Sequence, residues 1–241
     1  MRSKQLSLDR YDTDKIGNRY LEQYDPILKP WVEKKITLLE IGVHKGGSLL
    51  LWHDYFPLGT IVGIDIMLPK DFVPGERIHV FQGSQADPRF LSSVASKVAP
   101  EGFDIIIDDA SHIAEMSRIA FWHLFDNHLK PSGLYVIEDW GTGYWDDWPD
   151  GKSVNVKTSP LSKFWKHSSW LNRARKLPRL KISVPCHSYG MVGFVKELVD
   201  EQGAASVTRA RSTGKHKRMS KFQSMLITPC IVSIMKASYQ V

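Results

Sequence analysis

The sequence predicts an open α/β sheet of Rossmann type, mostly parallel, with helices on both faces and an antiparallel hairpin at its C-terminal edge. Three observations lead there. Five short runs, Ile36–Ile41, Thr60–Ile66, Ile78–Gln82, Phe103–Asp108 and Gly133–Ile137, are continuous in Val, Ile and Leu rather than alternating. That is the pattern of strands buried on both faces of a parallel sheet. Helical spacing fills the gaps near Ser48–Tyr55, Pro88–Val98 and Ile113–Leu129, so strands and helices alternate. Two later runs, Leu180–Pro185 and Met191–Leu198, flank His187, Ser188, Tyr189 and Gly190 and read as the edge hairpin.

The remaining segments take their places around this frame. Lys15–Val32 reads as a helical lead-in that ends near Pro30. Trp140–Asp150 is a loop holding three Trp and a Tyr, and Ser159–Lys176 is a basic, helix-like stretch. Residues 203–221 look like a solvated linker rich in Ser, Gly, Lys and Arg. Phe222–Tyr239 is apolar enough to pack, with no position the pattern assigns. The expected organisation is a domain over 1–201, with a basic lid-like insertion at 151–180, and a basic extension over 202–241.

Charge is unevenly spread. The chain has 241 residues and a net charge of +6, yet residues 1–150 carry 15 basic and 23 acidic side chains. Residues 151–201 carry 10 basic and 3 acidic, and residues 202–241 carry 7 basic and no acidic ones. An acidic body thus bears a basic C-terminal third. With 42% hydrophobic and 24% charged residues, the composition excludes wholesale disorder. No apolar run reaches the roughly 18 residues a membrane span needs. The N-terminus lacks an apolar signal segment. Two cysteines, Cys186 and Cys230, make no disulfide framework. A reducing, cytoplasmic location is expected.

The chemistry gathers at the C-terminal ends of the expected strands, where open α/β sheets bind ligands. Glu40, Gly42, Gly46, Gly47 and Ser48 follow the first strand and open a helix. Glycines there permit a tight turn and close backbone approach. The spacing departs from a dinucleotide fingerprint. An acid two residues before the first glycine is instead a pattern of S-adenosylmethionine (SAM) methyltransferases, although a plain βα turn also favours glycine. Asp65 ends the second strand, where a carboxylate can accept ribose hydroxyls or merely cap the next turn. Ser84 and Gln85 follow the third strand, where they could touch an adenine edge or simply turn the chain into the next helix.

Strand four ends in Asp108 and Asp109, followed closely by His112; strand five ends in Glu138 and Asp139. Adjacent strand ends lie about 4.8 Å apart, so several carboxylates would crowd one small volume and raise one another's pKa. A divalent cation removes the conflict, and an all-oxygen set with an open side suits Mg²⁺. Imidazole exchanges protons near neutral pH, so His112 is a natural general base. Helix capping by Asp108 or Asp109 is the simpler alternative, but it leaves Glu138 and Asp139 without a reason.

The segments LLEIGVHKGGSLLLW, FDIIIDDASH and GLYVIEDWGTGYW resemble the metal-dependent sugar O-methyltransferases. These form the class I methyltransferase group that includes the macrolide-sugar (macrocin, mycinamicin) enzymes. The leading TDKIGNRYLEQYDPIL resembles the N-terminal part of relatives acting on saccharides. The likeness spans roughly residues 12–198. It implies a Rossmann-like class I methyltransferase sheet, SAM as methyl donor, and Mg²⁺ or another divalent cation. It further implies Asp109, Glu138 and Asp139 as metal ligands and His112 as the base. Glu40, Gly42, Gly47, Ser48 and Asp65 would line the SAM site, joined by Ser84, Gln85 and Asp108.

A saccharide or glycosylated small molecule is the implied acceptor. Trp140, Tyr144, Trp145 and Trp148 are placed to wall its pocket, since aromatic faces stack on sugar rings, or to pack as a lid's own core. Thr13, Lys15 and Tyr20 could close the other side. Two other functions compete. A catechol or other vicinal-diol acceptor would use the same physics and differ in pH dependence. A nucleic-acid binder would use Arg173, Arg175, Lys176, Arg179, Lys181 and the 209–221 cluster, with steep salt dependence. No nucleic-acid motif accompanies those charges, so the basic third reads rather as a lid and tail selecting an anionic acceptor. A homo-oligomer is left open.

Overall fold

The computed structural model describes residues 1–152 and 187–238. Seven strands form one sheet: β1 (Thr37–Ile41), β2 (Thr60–Asp65), β3 (Ile78–Gln82), β4 (Phe103–Asp108), β5 (Leu129–Glu138), β6 (Phe222–Ile227) and β7 (Ile231–Lys236). Their order is β3-β2-β1-β4-β5-β7-β6. The first five are parallel, with β1 at the point where the order reverses. β7 runs antiparallel to β5, and β6 antiparallel to β7. All five continuous apolar runs are strands, as their Val/Ile/Leu content requires.

Helices cover both faces. One face carries α1 (Asp14–Gly17), α2 (Tyr20–Leu28) and α3 (Gly47–Tyr55). There Tyr24, Leu28, Leu49, Trp52 and Tyr55 bury against Leu38, Ile61, Ile105 and Val136. The other face carries α4 (Pro88–Val98), α5 (Ala114–Asn127) and α6 (Gly190–Gln202), followed by the short α7 (Ala204–Val207). Leu91, Phe121, Leu124, Phe194 and Leu198 there meet Ile41, Ile106, Tyr135 and Ile234. Among the described residues no helix is long and apolar enough to cross a membrane.

The edge hairpin exists, but not where the sequence reading put it. Met191–Leu198 lies inside helix α6, and the hairpin is β6–β7. Met191, Val192, Phe194, Val195 and Leu198 are the buried apolar side chains; their spacing of one, three, four and seven is helical. The β-branched run at Ile231–Ile234 supplies the strand instead, buried at Ile231, Val232 and Ile234. The sheet therefore extends to Lys236, past the boundary expected at residue 201. The basic helix expected over 159–176, the strand at 180–185, Cys186 and most of the lid-like insertion lie outside the described residues.

The basic cluster also moves. β7 pairs Ile231 with Glu138 at the top of β5, and Phe222 of β6 faces Lys236 at the bottom. The 209–221 segment consequently leaves the sheet at the end away from the C-terminal ends of β1–β5. Arg218 is anchored there on Glu201 at 2.6 and 2.7 Å, and Lys221 on Asp126 at 2.7 Å. That part of the tail cannot select an acceptor held at the other end.

The N-terminal segment is pinned by Asp25, whose carboxylate accepts from Ser3 N (3.0 Å), Ser3 Oγ (2.6 Å) and Tyr55 Oη (2.8 Å). Burial pushes its pKa up, but the hydrogen bonds from Ser3 and Tyr55 outweigh this and hold it below the usual value. A lowered folded pKa stabilises the fold above the unfolded carboxyl pKa, and that contribution fades as pH falls through the folded value. Asp25→Asn is expected to cost about 2–3 kcal/mol at neutral pH. Thermal unfolding followed against pH should show the deficit shrinking below about pH 4.

Candidate active site

The site begins where β1 ends. Gly42 has φ +101°, and a Cβ there would fall 2.1 Å from the Asp109 carbonyl oxygen; one on Gly47 would fall 2.0 Å from that of Asp12. The glycines thus let the β1 loop lie directly against the β4 loop and the N-terminal segment. Asp65 fixes this loop from β2, its carboxylate accepting from Val43 N at 2.7 Å, His44 N at 3.0 Å and Met67 N at 3.0 Å. Over these strand ends lies a cavity of about 920 Å³, a size suited to a nucleoside-containing ligand. Gly42, Gly47, Ser48, Asp65, Ser84, Gln85, Asp109, His112 and Asp139 all line it.

Two residues expected in the cofactor set stand behind the wall instead. Glu40 is fully buried and accepts from Ser48 Oγ (2.7 Å) and Trp52 Nε1 (3.1 Å). It braces the first turn of α3. Asp108 is buried on the opposite face, where Gln85 Nε2 approaches it at 3.4 Å while Gln85 Oε1 accepts from Ser111 N. Burial pushes its pKa up to about 6. Its place is to orient Gln85.

The acidic cluster is real but rearranged. Asp109, His112 and Asp139 each present one ligand atom within 4.8 Å of the others. His112 Nε2 stands 3.8 Å from Asp109 Oδ1 and 3.8 Å from Asp139 Oδ2. Glu138 lies fully buried beside them, sharing the Lys15 ammonium with Asp109, its carboxylate held by Lys15 Nζ at 3.0 Å and by the Tyr24 hydroxyl. Burial and then the neighbouring Asp109 raise the Glu138 pKa well above the carboxylate range; burial also raises that of Asp139, against the hydrogen bond from Tyr20. These carboxyls resist ionisation in an ion-free site, the expected signature of acids arranged for a cation. Two carboxylates opening to a cavity, with more carboxylate behind, fit a hard divalent ion.

Of Thr13, Lys15 and Tyr20, only the first reaches the cavity; the other two lie behind the acidic cluster. Thr13 lines the cavity and Tyr20 donates to Asp139. Lys15 is wholly buried, and although burial opposes its charge, Asp109, Glu138 and Glu40 drive its pKa well above the usual value. Tyr24 was missed. It lies four residues after Tyr20, one turn along the same helix face, which was signal enough.

The Trp-rich loop has a different role from the pocket wall expected of it. None of Trp140, Tyr144, Trp145 and Trp148 lines the cavity formed by the described residues. Trp148 Nε1 donates to the His112 carbonyl at 2.9 Å, and Thr142 Oγ1 approaches the same oxygen at 3.4 Å. Asp150 accepts from Ala114 N at 2.7 Å, capping α5. His112 has φ +48° and Asp139 φ +53°, a conformation that costs about 1–3 kcal/mol in a non-glycine residue. The loop holds His112 in it. Trp140 donates to Thr228 O (2.8 Å), and Asp139 N to Cys230 O (2.8 Å). The β6–β7 turn thus buttresses the cluster. Trp145 is 51% exposed, and Tyr144 packs on His187.

No family model matches the chain. It is 43% identical over 145 residues to mycinamicin VI 2''-O-methyltransferase of Micromonospora griseorubida, covering 56% of this chain and 35% of that protein. It is 41% identical over 145 residues to demethylmacrocin O-methyltransferase of Streptomyces fradiae, covering 56% and 36%. The chain therefore spans only about a third of the length of these curated relatives. Among solved structures, the MycE methyltransferase of the mycinamycin biosynthetic pathway, in complex with Mg, SAH and mycinamycin VI, superposes with a TM-score of 0.62 at 30% identity, over 90% of this chain and 49% of that one. The resemblance to sugar O-methyltransferases read from the motifs is borne out, and the fold is the Rossmann-like fold of class I methyltransferases.

Proposed function

We propose that this chain is a SAM-dependent O-methyltransferase acting on a hydroxyl of a sugar or glycosylated acceptor, aided by Mg²⁺ or another divalent cation, with His112 as general base. One observation carries the reading: the Asp109, His112 and Asp139 cluster opens into the same cavity as the glycine loop and Asp65. The relatives' names support the acceptor class, and the MycE complex supports SAM and Mg²⁺. Use of SAM agrees with a cytoplasmic site of action.

In the transfer, the acceptor oxygen forms a bond to the methyl carbon as the S–CH₃ bond breaks, leaving neutral SAH. Asp109, Glu138 and Asp139 would hold the divalent ion, which as a Lewis acid makes an alcohol hydroxyl more acidic. The chain's own residues do the rest. The glycine loop and Asp65 bind the donor, while the walls fix both substrates at attack distance. His112 Nε2 takes the hydroxyl proton, and the imidazolium so formed lies between the two carboxylates 3.8 Å away. Hard cations prefer oxygen, which leaves the imidazole free for that proton.

The test is methyl transfer from labelled SAM to a panel of saccharides, catechols and RNA, with Mg²⁺ present. Label entering a saccharide is the expected result. Label entering only catechols or RNA, or none at all, overturns the acceptor assignment.

A further inference from the structure

The basic segment after α7 has no part in the chemistry. Residues 209–218 hold five Lys and Arg side chains and no acid. They form a projecting hairpin: Arg209 pairs antiparallel with His216, Ala210 N donates to Lys215 O at 2.8 Å, and Gly214, at φ +69°, turns the chain. Thr208 ties the base, its hydroxyl donating to Ala204 O at 2.8 Å and accepting from Lys217 N at 3.3 Å. Every residue from 209 to 219 is exposed, so the hairpin adds nothing to the core. Of the five cations only Arg218 has a carboxylate partner among the described residues, Glu201. An ordered loop that gathers like charges and buries no apolar surface works against both chain entropy and self-repulsion.

We propose that this hairpin is a docking element that attaches the protein peripherally to a surface of anionic phospholipid. Arg209, Arg211, Lys215 and Lys217 offer uncompensated cations to lipid phosphates, each worth roughly a fivefold gain in affinity near such a surface. Two apolar side chains flank the hairpin, Val207 at 74% exposure and Met219 at 41%. Charge draws an interfacial element to the headgroups, and apolar groups beside the charge enter the boundary below them. A nucleic acid fits less well, since no Phe, Trp or Tyr lies between residues 203 and 221 to stack on a base. The hairpin leaves the sheet at the end away from the C-terminal ends of β1–β5, so docking there leaves the cavity uncovered. The inference does not depend on which acceptor the cavity takes.

The test is cosedimentation of the full chain with vesicles of phosphatidylcholine alone and of equal parts phosphatidylcholine and phosphatidylglycerol. Binding to the anionic vesicles is expected to be at least about tenfold tighter and to weaken steadily as salt is raised. Arg211→Gln, Lys215→Gln and Lys217→Gln combined should weaken it at least about tenfold and leave Tm unchanged, since all three side chains are exposed. Val207→Ser with Met219→Ser should weaken vesicle binding and leave binding to heparin, a polyanion with no apolar phase, unchanged. Equal binding to both kinds of vesicle, or a triple variant that binds as the unaltered protein does, overturns the proposal. An apolar pair of substitutions without effect on vesicle binding also overturns it, reducing the hairpin to a general polyanion site. Binding to RNA but not to the anionic vesicles overturns it in favour of a nucleic acid.

Discussion

Replacing His112 by Ala is expected to leave SAM binding and folding intact while cutting kcat about 10²–10⁴-fold, the usual contribution of a positioned general base. The expectation follows from how the residue is held. Its strained backbone is fixed through its carbonyl by Trp148 and Thr142, and α5 is capped two residues later by Asp150. None of these bonds involves the imidazole, so truncation removes the ring without releasing the loop. Isothermal titration with SAM and steady-state kinetics separate the two effects. A kcat within threefold of the unaltered enzyme would remove His112 from the chemistry.

Stripping the divalent ion is expected to abolish turnover, with recovery on adding Mg²⁺ or Mn²⁺. The crowding of Asp109, Glu138 and Asp139, with burial raising the last two, makes the ion-free site a poor electrostatic match to an acceptor oxygen losing its proton. Zn²⁺ should restore little, because it takes imidazole readily and would occupy the nitrogen needed for the proton. Asp139→Asn should need much more Mg²⁺ for half-maximal rate. Full activity in excess EDTA would end the metal argument.

The legible part of this molecule was the part built from continuous apolar runs. β1, β2 and β4 bury nearly every residue of their runs, so composition alone marks them, while α4 and α5 are marked by the helical spacing of the residues they bury. The C-terminal region misled because Met191–Val195 is an unbroken uncharged run that resembles a strand, while burial resumes only at Leu198, at helical spacing. Gly42, Asp65, Asp109, His112 and Asp139 line one cavity because strand ends fix their place. Glu40, Asp108 and Glu138 do not line the cavity, for a geometric reason. Successive side chains on a strand point to opposite faces, so Asp108 turns toward Gln85 while Glu40 and Glu138 turn toward α2 and α3. A list of acids at strand ends does not separate these directions. The role of Trp148 was invisible because it depends on a carbonyl, and backbone acceptors leave no trace in sequence.

The contacts that complete the cluster join residues very far apart in the chain. Lys15 reaches Glu138 across 123 positions, Tyr20 reaches Asp139 across 119, and Gln23 meets Thr228 across 205. Long-range contacts close the largest loops and form slowly. During synthesis, β1–β5 and their helices can pair as they emerge, but residues 11–24 must wait for β5, and the turn that supports Asp139 must wait for β7. Catalytic competence is thus acquired after the bulk of the sheet, and refolding followed by metal binding should lag behind refolding followed by helix content.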